Sequence, residues 1–224
     1  MLWKKYRFDV LDSTQNEAQK YPPYTVVVAA RQTGGRGRMG REWVSPAGNL
    51  YLTAVVPDMG DGTPQLAFVA AVALATALAD FNVRLKWPND VLSDGRKIAG
   101  ILLERMDDKV LIGVGVNVVS APVQAIYPTG HLHGRILCDI LLDKFLEALR
   151  QTVREFQEKG FEPIRRKWLD NAFHLGQEIV VKAPPGTVTG VFAGMDADGA
   201  LIVKQADKTR RITVGDVALM KDIK

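Results

Sequence analysis

The chain has 224 residues, 47% hydrophobic and 24% charged, with a formal net charge of +4. Its length fits one large domain or one domain plus a small appendage, its composition excludes a disordered chain, and its basic excess favours anionic partners without requiring nucleic acid. The lone cysteine, Cys138, excludes an internal disulfide, the N-terminus lacks a signal-peptide core, and the longest apolar helical run, 66–79, is too short to span a bilayer, so a cytoplasmic protein is expected.

Tyr6 to Leu11 alternates as a strand does. In Asp12-Ser-Thr-Gln-Asn-Glu17, Thr14 with Glu17 three residues on has capping-box spacing and predicts a short helix to about Lys20. Capping accounts for the Ser13 and Thr14 hydroxyls, although with Gln15 they equally suit a polar pocket at a helix N-terminus. Pro22-Pro23 ends that helix, and the β-branched run from Thr25 to Arg31 predicts a central strand.

The strand leads into Arg31-Gln-Thr-Gly-Gly-Arg-Gly-Arg-Met-Gly-Arg-Glu-Trp43, with four arginines and four glycines. Glycines let backbone N–H groups approach a ligand closely, and Arg36, Arg38 and Arg41 add forked cations suited to carboxylate or phosphate oxygens. An anion-gripping loop is predicted, mobile when empty. Neither a Walker A loop nor G-x-G-x-x-G is present. A solvated basic loop or an RNA-touching tract fits the same composition.

Asn49 to Val56 predicts a strand, Gln65 to Asp80 an alanine-rich helix behind Pro64, and Arg84 to Pro88 a short strand. Asn89-Asp90 reads as a turn, and Ser93-Asp-Gly-Arg96 as a hairpin turn. Lys97–Glu104 and Lys109–Val118 predict a second hairpin, whose Gly100, Gly113 and Gly115 weaken strands unless something needs room beside the backbone. Residues 119–134 read as a loop, where His131 and His133 give weak support for a metal. Arg135 to Lys159 is an amphipathic helix with Ile136, Leu137, Ile140, Leu141, Phe145, Leu149, Val153 and Phe156 on its stripe. Cys138 is expected there as a buried structural thiol. A shorter helix follows over Glu162–Asn171. Beyond His174, five short β-rich runs (177–183, 187–194, 200–205, 210–214 and 217–220) suggest a small antiparallel barrel.

Five blocks, Asp12-Ser-Thr-Gln15, Arg31 to Trp43, Leu85-Lys-Trp-Pro-Asn-Asp90, Arg96-Lys-Ile-Ala-Gly-Ile-Leu-Leu-Glu104 and Gly113-Val-Gly-Val-Asn117, together resemble the ordered signatures of biotin protein ligases. The resemblance covers essentially the whole chain. It implies an α+β fold: a mixed, mainly antiparallel sheet with packed helices (a class II synthetase-like catalytic core) over 1–174, and a small SH3-like β-barrel over 175–224. It also implies that biotin and MgATP give biotinyl-5′-adenylate, from which a lysine of a biotin carboxyl carrier protein takes the biotin. The longer members' winged helix has no counterpart before the first block, so no DNA binding is expected, and a homodimer is.

The resemblance assigns Ser13, Thr14, Gln15 and Gln32 to the biotin head group, with Arg36, Gly37, Arg38, Lys86, Gly100 and Gly115 completing the biotin site. Arg36, Arg38, Arg41, Trp43, Lys86 and Asn117 are expected around ATP. Lys86 is the expected catalytic ammonium between carboxylate and phosphate, and Arg38 the grip on the adenylate phosphate. Asp90 either binds Mg²⁺ through water or caps its turn, with the ion held mainly by phosphates. Tyr127 is a candidate to stack on the adenine. Two alternatives stand beside this reading. A lipoate or octanoate ligase or transferase shares the architecture, although the polar cluster favours a ureido ring over a dithiolane. A basic nucleic-acid-binding module would use Arg31 to Arg41, but no aromatic-interleaved basic strand accompanies it.

Overall fold

The computed structural model describes residues 3–122, 128–184 and 186–219, so Tyr127 lies outside the described residues. Strands β1 (Lys4–Leu11), β2 (Thr25–Gln32), β3 (Leu50–Pro57), β4 (Val83–Lys86), β5 (Asp90–Ser93), β6 (Arg96–Met106) and β7 (Lys109–Val116) form one sheet. Its order is β1-β2-β3-β7-β6-β5-β4. Among the described residues, β1 and β2 are the one pair of these strands that runs parallel. One face is covered by α2 (Leu66–Ala77), α3 (Cys138–Lys159) and α4 (Glu162–Asp170). Alanines at 70, 71, 73 and 77 let α2 pack closely, and its burial between the strands on one side and α3 and α4 on the other is why it is apolar all round. The other face carries only α1 (Thr14–Ala18) over β2, β3 and β7, leaving the rest of that face to the arginine-glycine loop.

β8 (Glu178–Ala183), β9 (Gly186–Met195), β10 (Leu201–Lys204), β11 (Thr209–Ile212) and β12 (Asp216–Leu219) form a second, antiparallel sheet, ordered β11-β10-β9-β8-β12. The expected α+β architecture with a small β-rich C-terminal unit is therefore present. The first unit meets the second sheet through the buried Trp87 indole N–H, which donates to the Gly199 carbonyl at 3.0 Å, and through Arg165 of α4, whose guanidinium donates to the Met195 carbonyl at 2.8 Å.

Several local expectations need correction. The cap of α1 is Ser13, whose Oγ accepts from the Gln15 N–H, and the helix ends at Ala18. Thr14 and Glu17 therefore do not form the capping box; Glu17 pairs with Lys20 instead. Asp90 opens β5 rather than closing a turn. The Asp94-Gly95 hairpin turn forms as expected, both residues having positive φ. α3 begins at Cys138, after His133 and Gly134 in left-handed conformations. Leu137 and Ile140 consequently stand exposed, at 68% and 49%, while Leu141, Phe145, Leu149, Val153 and Phe156 enter the core. Cys138 is half-buried on the first turn of α3, with burial raising its thiol pKa.

Candidate active site

A cleft of about 310 Å³ opens on the α1 face of the first sheet. Its floor is the centre of the sheet, where Gly100 pairs with Gly115 and Leu102 with Gly113. Paired residues share a face, so three glycines clear one patch of sheet. The space is used by side chains. A Cβ on Gly115 would lie 2.5 Å from Trp43 Nε1, and one on Gly113 3.1 Å from the Gln15 side chain. Trp43 thus lies across the glycine patch, neither in the core nor free in solvent.

The polar wall comes from α1 and the end of β2. Thr14 N–H and Oγ1 donate to Gln32 Oε1 at 2.8 and 3.1 Å, Gln32 Nε2 donates to Ser45 Oγ at 3.0 Å, and Thr53 Oγ1 donates to Thr14 Oγ1 at 2.9 Å. Gln32 is therefore braced at both ends of its amide. Gln15 differs: its Nε2 and Oε1 are both buried without a partner, as is Trp43 Nε1. Leaving a buried amide unpaired costs on the order of 1–3 kcal/mol. Such atoms mark where a ligand with both donors and acceptors belongs.

The cationic wall is the loop. It turns back on itself through Gly37 N–H to the Arg41 carbonyl (2.7 Å) and Trp43 N–H to the Gly35 carbonyl (2.9 Å). Only glycine fits at 35, where a Cβ would lie 2.3 Å from the Trp43 carbonyl oxygen. Arg36 pairs with Glu104 at 3.0 Å, Arg41 with Asp216 of the C-terminal sheet at 2.5 Å, and Arg38 donates to Asn89 Oδ1 at 3.2 Å.

Of the expected residues, Ser13, Thr14, Gln15, Gln32, Arg36, Gly37, Arg38, Arg41, Trp43, Asp90, Gly100 and Gly115 line this cleft. Lys86 and Asn117 do not. Lys86 is buried opposite Asp90, at the outer end of the row Gly115–Gly100–Asp90–Lys86. Asn117 is buried beyond the end of β7, its amide donating to the Gly130 carbonyl at 3.0 Å. The lysine in the cleft is Lys97, 2.7 Å from Asp90 and 5.4 Å from the centroid of a Trp43 ring. Sequence alternation hides it. A bulge in β6 shifts the register between Val91–Ala99 and Leu92–Lys97. The extra residue, Ile98, enters the core, and Lys97 turns onto the face of Gly100.

Among the described residues no group of three or more His, Cys, Asp or Glu could hold a metal ion, and His131 and His133 simply pack together with ring centroids 4.3 Å apart. Asp90 is the carboxylate that the first sheet contributes to the cleft lining, and it already faces Lys97. One carboxylate suits Mg²⁺ only where phosphates supply most of its ligands. No helix among the described residues is long and apolar enough to cross a membrane.

The family described as Biotin/lipoate A/B protein ligase matches residues 7–118, and the Biotin protein ligase C terminal domain matches residues 174–220. A biotin–[acetyl-CoA-carboxylase] ligase of Paracoccus denitrificans is 38% identical over 86% of this chain and 91% of its own length. The bifunctional ligase/repressor BirA of Bacillus subtilis is 32% identical over 94% of this chain and 72% of its own. Among solved structures, the biotin protein ligase of Aquifex aeolicus in complex with biotin and ATP is similar with a TM-score of 0.86 and 28% identity, covering 96% of this chain and 97% of that one.

Proposed function

The chain belongs to the biotin/lipoate A/B protein ligase family, and we propose that it is an ATP-dependent biotin–protein ligase. The observation that carries this reading is the unpaired, buried Gln15 amide, held in one cleft with Arg36, Arg38, Arg41 and Lys97. A ureido ring offers both N–H donors and a carbonyl acceptor to that amide, whereas a dithiolane offers neither, so biotin is favoured over lipoate. The relatives named for biotin and the neighbour holding biotin with ATP support the same choice.

Ser13, Thr14 and Gln32 complete the head-group wall, Gln32 acting chiefly by orienting Thr14. Arg36 meets the carboxylate, while the Gly37 N–H stays on the Arg41 carbonyl and keeps the loop turned around it. Arg38 holds the α-phosphate and then the adenylate, and Arg41 the departing pyrophosphate. Lys97 takes the role expected of Lys86: its ammonium offsets the repulsion between carboxylate and phosphate as the carboxylate oxygen attacks phosphorus. Trp43 covers the product against water. Asp90 would be the carboxylate available to Mg²⁺ brought in by the phosphates, and the ion would supply further charge neutralisation. Lys86 supports the sheet edge beside Asp90 and Asn117 holds the Gly130 backbone, both outside the lining of the cleft.

This reading divides the chain into a catalytic unit, 1–174, and a C-terminal unit, 175–224, in keeping with the two family matches. The acceptor is a lysine of a biotin carboxyl carrier domain, as the relative's name supports, and the reaction belongs in the cytoplasm with its ATP. A homodimer is part of the reading, favoured by the unpaired edge of β1. The test is incubation with biotin and ATP, denaturation, and mass spectrometry for biotinyl-AMP. Lipoyl-AMP formed in preference, or no acyl-AMP with either acid, overturns the assignment.

A further inference from the structure

Lys97 is held along a stretch of β6 that β7 does not reach. The β6–β7 ladder begins at Ala99, opposite Val116. Beyond it, Asn117 donates its backbone N–H to the carbonyl of the bulge residue Ile98 at 2.7 Å. The segment 128–132 then returns along β6. Lys97 N–H donates to the Pro128 carbonyl and Gly130 N–H to the Lys97 carbonyl, both at 2.9 Å, so Thr129 faces Lys97 as a parallel bridge. Asn117 fixes this segment twice more. Its side-chain amide donates to the Gly130 carbonyl at 3.0 Å, and its own carbonyl accepts from the N–H of the buried Leu132 at 3.0 Å. Both backbone polar groups of Lys97 are therefore bonded to residues 128 and 130. Gly130 allows the close approach, since a Cβ there would lie 2.9 Å from Arg96 Cβ. That atom is fixed to the strand, so any side chain at 130 must lift the segment. Gly130 is outside the left-handed region, and proximity alone calls for glycine.

We propose that Gly130 is a positioning residue for adenylate formation: it lets 128–132 seat against β6 and hold the bulge that turns Lys97 into the cleft. The inference rests on the ligase reading and on the role given there to Lys97, and adds what aims that lysine. A bulge disrupts the ladder locally, so its shape depends on the bonds that stretch makes elsewhere. Here those bonds run to Pro128, Gly130 and Asn117. In unbroken alternation residues 97 and 100 would lie on opposite faces of the sheet, and the ammonium would leave Asp90 and the cleft. None of residues 128–132 lines the cleft, so Gly130 acts through Lys97. Displacing a reacting group by about 1 Å can cost about 10²-fold in rate. A small lift of this segment therefore shows in the chemistry while the head-group wall of α1 and β2 stays in place.

The test is a double-mutant cycle on the full chain, with Gly130→Ala and Lys97→Ala made singly and together. It is read by single-turnover pyrophosphate release at saturating biotin and ATP, with biotin affinity measured by calorimetry. Gly130→Ala should slow adenylation about tenfold or more, with biotin affinity within about twofold of the parent. In the Lys97→Ala background the same substitution should cost less than about twofold, because the group it aims is gone. Arg96→Gly removes the opposing Cβ, so Gly130→Ala combined with it should return to within about threefold of Arg96→Gly alone. Acetylation by acetic anhydride with peptide mass spectrometry reads the lysine directly. Held against Asp90, Lys97 should label about threefold or more slowly in the parent than in Gly130→Ala. An unmodified adenylation rate in Gly130→Ala overturns the positioning role, as does a loss that persists without Lys97, unchanged Lys97 labelling, or a loss confined to the KM for ATP, which would give the segment to the nucleotide. Lys97→Ala as fast as the parent removes the lysine's role and this one with it, whereas absence of adenylate in the unmodified protein overturns the ligase reading itself.

Discussion

The Lys97 ammonium lies 2.7 Å from the Asp90 carboxylate, although the two residues belong to different strands and the alternation of β6 would turn Lys97 away. The bulge at Ile98 brings them together, and the Trp43 ring covers them. Lys97→Ala should lower single-turnover adenylate formation by about 10²–10³-fold, the size of effect seen when one transition-state charge donor is removed. Lys97→Arg should not restore it, because a planar fork cannot replace a point charge between two oxyanions. Folded Lys86→Ala should keep adenylation within about tenfold of the parent, because Lys86 lies outside the lining of the cleft. Equal losses at both positions would show that Lys86 also acts in the chemistry.

Gln15 separates binding from stability. Its amide is buried and unpaired on both atoms, so Gln15→Leu removes a polar group that folding does not satisfy. The variant should melt at or above the parent temperature, by up to about 1 kcal/mol in stability. Biotin affinity by calorimetry should fall about 10- to 100-fold, the equivalent of one or two ligand hydrogen bonds. A lower melting temperature with unchanged affinity would make Gln15 a structural residue.

The glycine patch can be tested through tryptophan fluorescence. Gly115→Ala puts a methyl group where Trp43 Nε1 would be 2.5 Å away, so the indole must leave the floor of the cleft. The variant should show red-shifted emission without ligand and lose most of any biotin-induced change. Retention of the parent spectrum would mean that Trp43 packs elsewhere in solution.

Much of this site was legible before any coordinates. Ser13 to Gln15, Gln32, the arginines and the two glycines share one cleft because their blocks are contiguous in sequence and their local chemistry is strong. The order of strands and helices was equally legible from periodicity and turn residues, whereas the α+β class was implied by the resemblance. What escaped depends on register. Lys97 required a one-residue bulge that no side-chain pattern announces, and Asp90 reads as a turn because Pro88-Asn89 precedes it. Asp216 escaped for another reason: its contact with Arg41 joins residues 175 positions apart across two sheets, a distance over which periodicity carries no information.

Asp12 governs the acid limb of stability. Its carboxyl is held below the ordinary carboxylate range first by the Asn16 side-chain amide and then by the Ser13 N–H, which anchor the start of α1. A depressed folded-state pKa gives stability that is present above the ordinary value of 3.8 and lost as pH falls through the folded-state value. Asp12→Ala should therefore melt below the parent at neutral pH, with the gap closing only below about pH 4. Because the carboxylate is exposed, the gap should be small. A gap that persists to pH 2 would assign the loss to something other than charge.

The Arg41–Asp216 pair ties the cationic loop to the C-terminal sheet at 2.5 Å, with side chains 39% and 31% exposed. A pair so open to water contributes about 0–1 kcal/mol, too little to matter for global folding. It matters locally, because beside the loop's backbone hydrogen bonds and the packing of Trp43, this pair, Arg36–Glu104 and Arg38–Asn89 tie the arginines down. Segments with so few contacts open at a small free-energy cost, and removing one contact changes the open population directly. Asp216→Ala should leave the denaturation midpoint nearly unchanged while trypsin cleavage after Arg36, Arg38 and Arg41 rises by up to about fivefold, the equivalent of about 1 kcal/mol. The exchange Arg41→Asp with Asp216→Arg should bring cleavage at the two remaining arginines back towards the parent rate but not restore ATP affinity, since the cation then sits on the wrong sheet. Biotin with ATP should protect the Asp216→Ala loop as well as it protects the parent's. Cleavage unaltered by Asp216→Ala would show that the loop is closed without help from the second sheet.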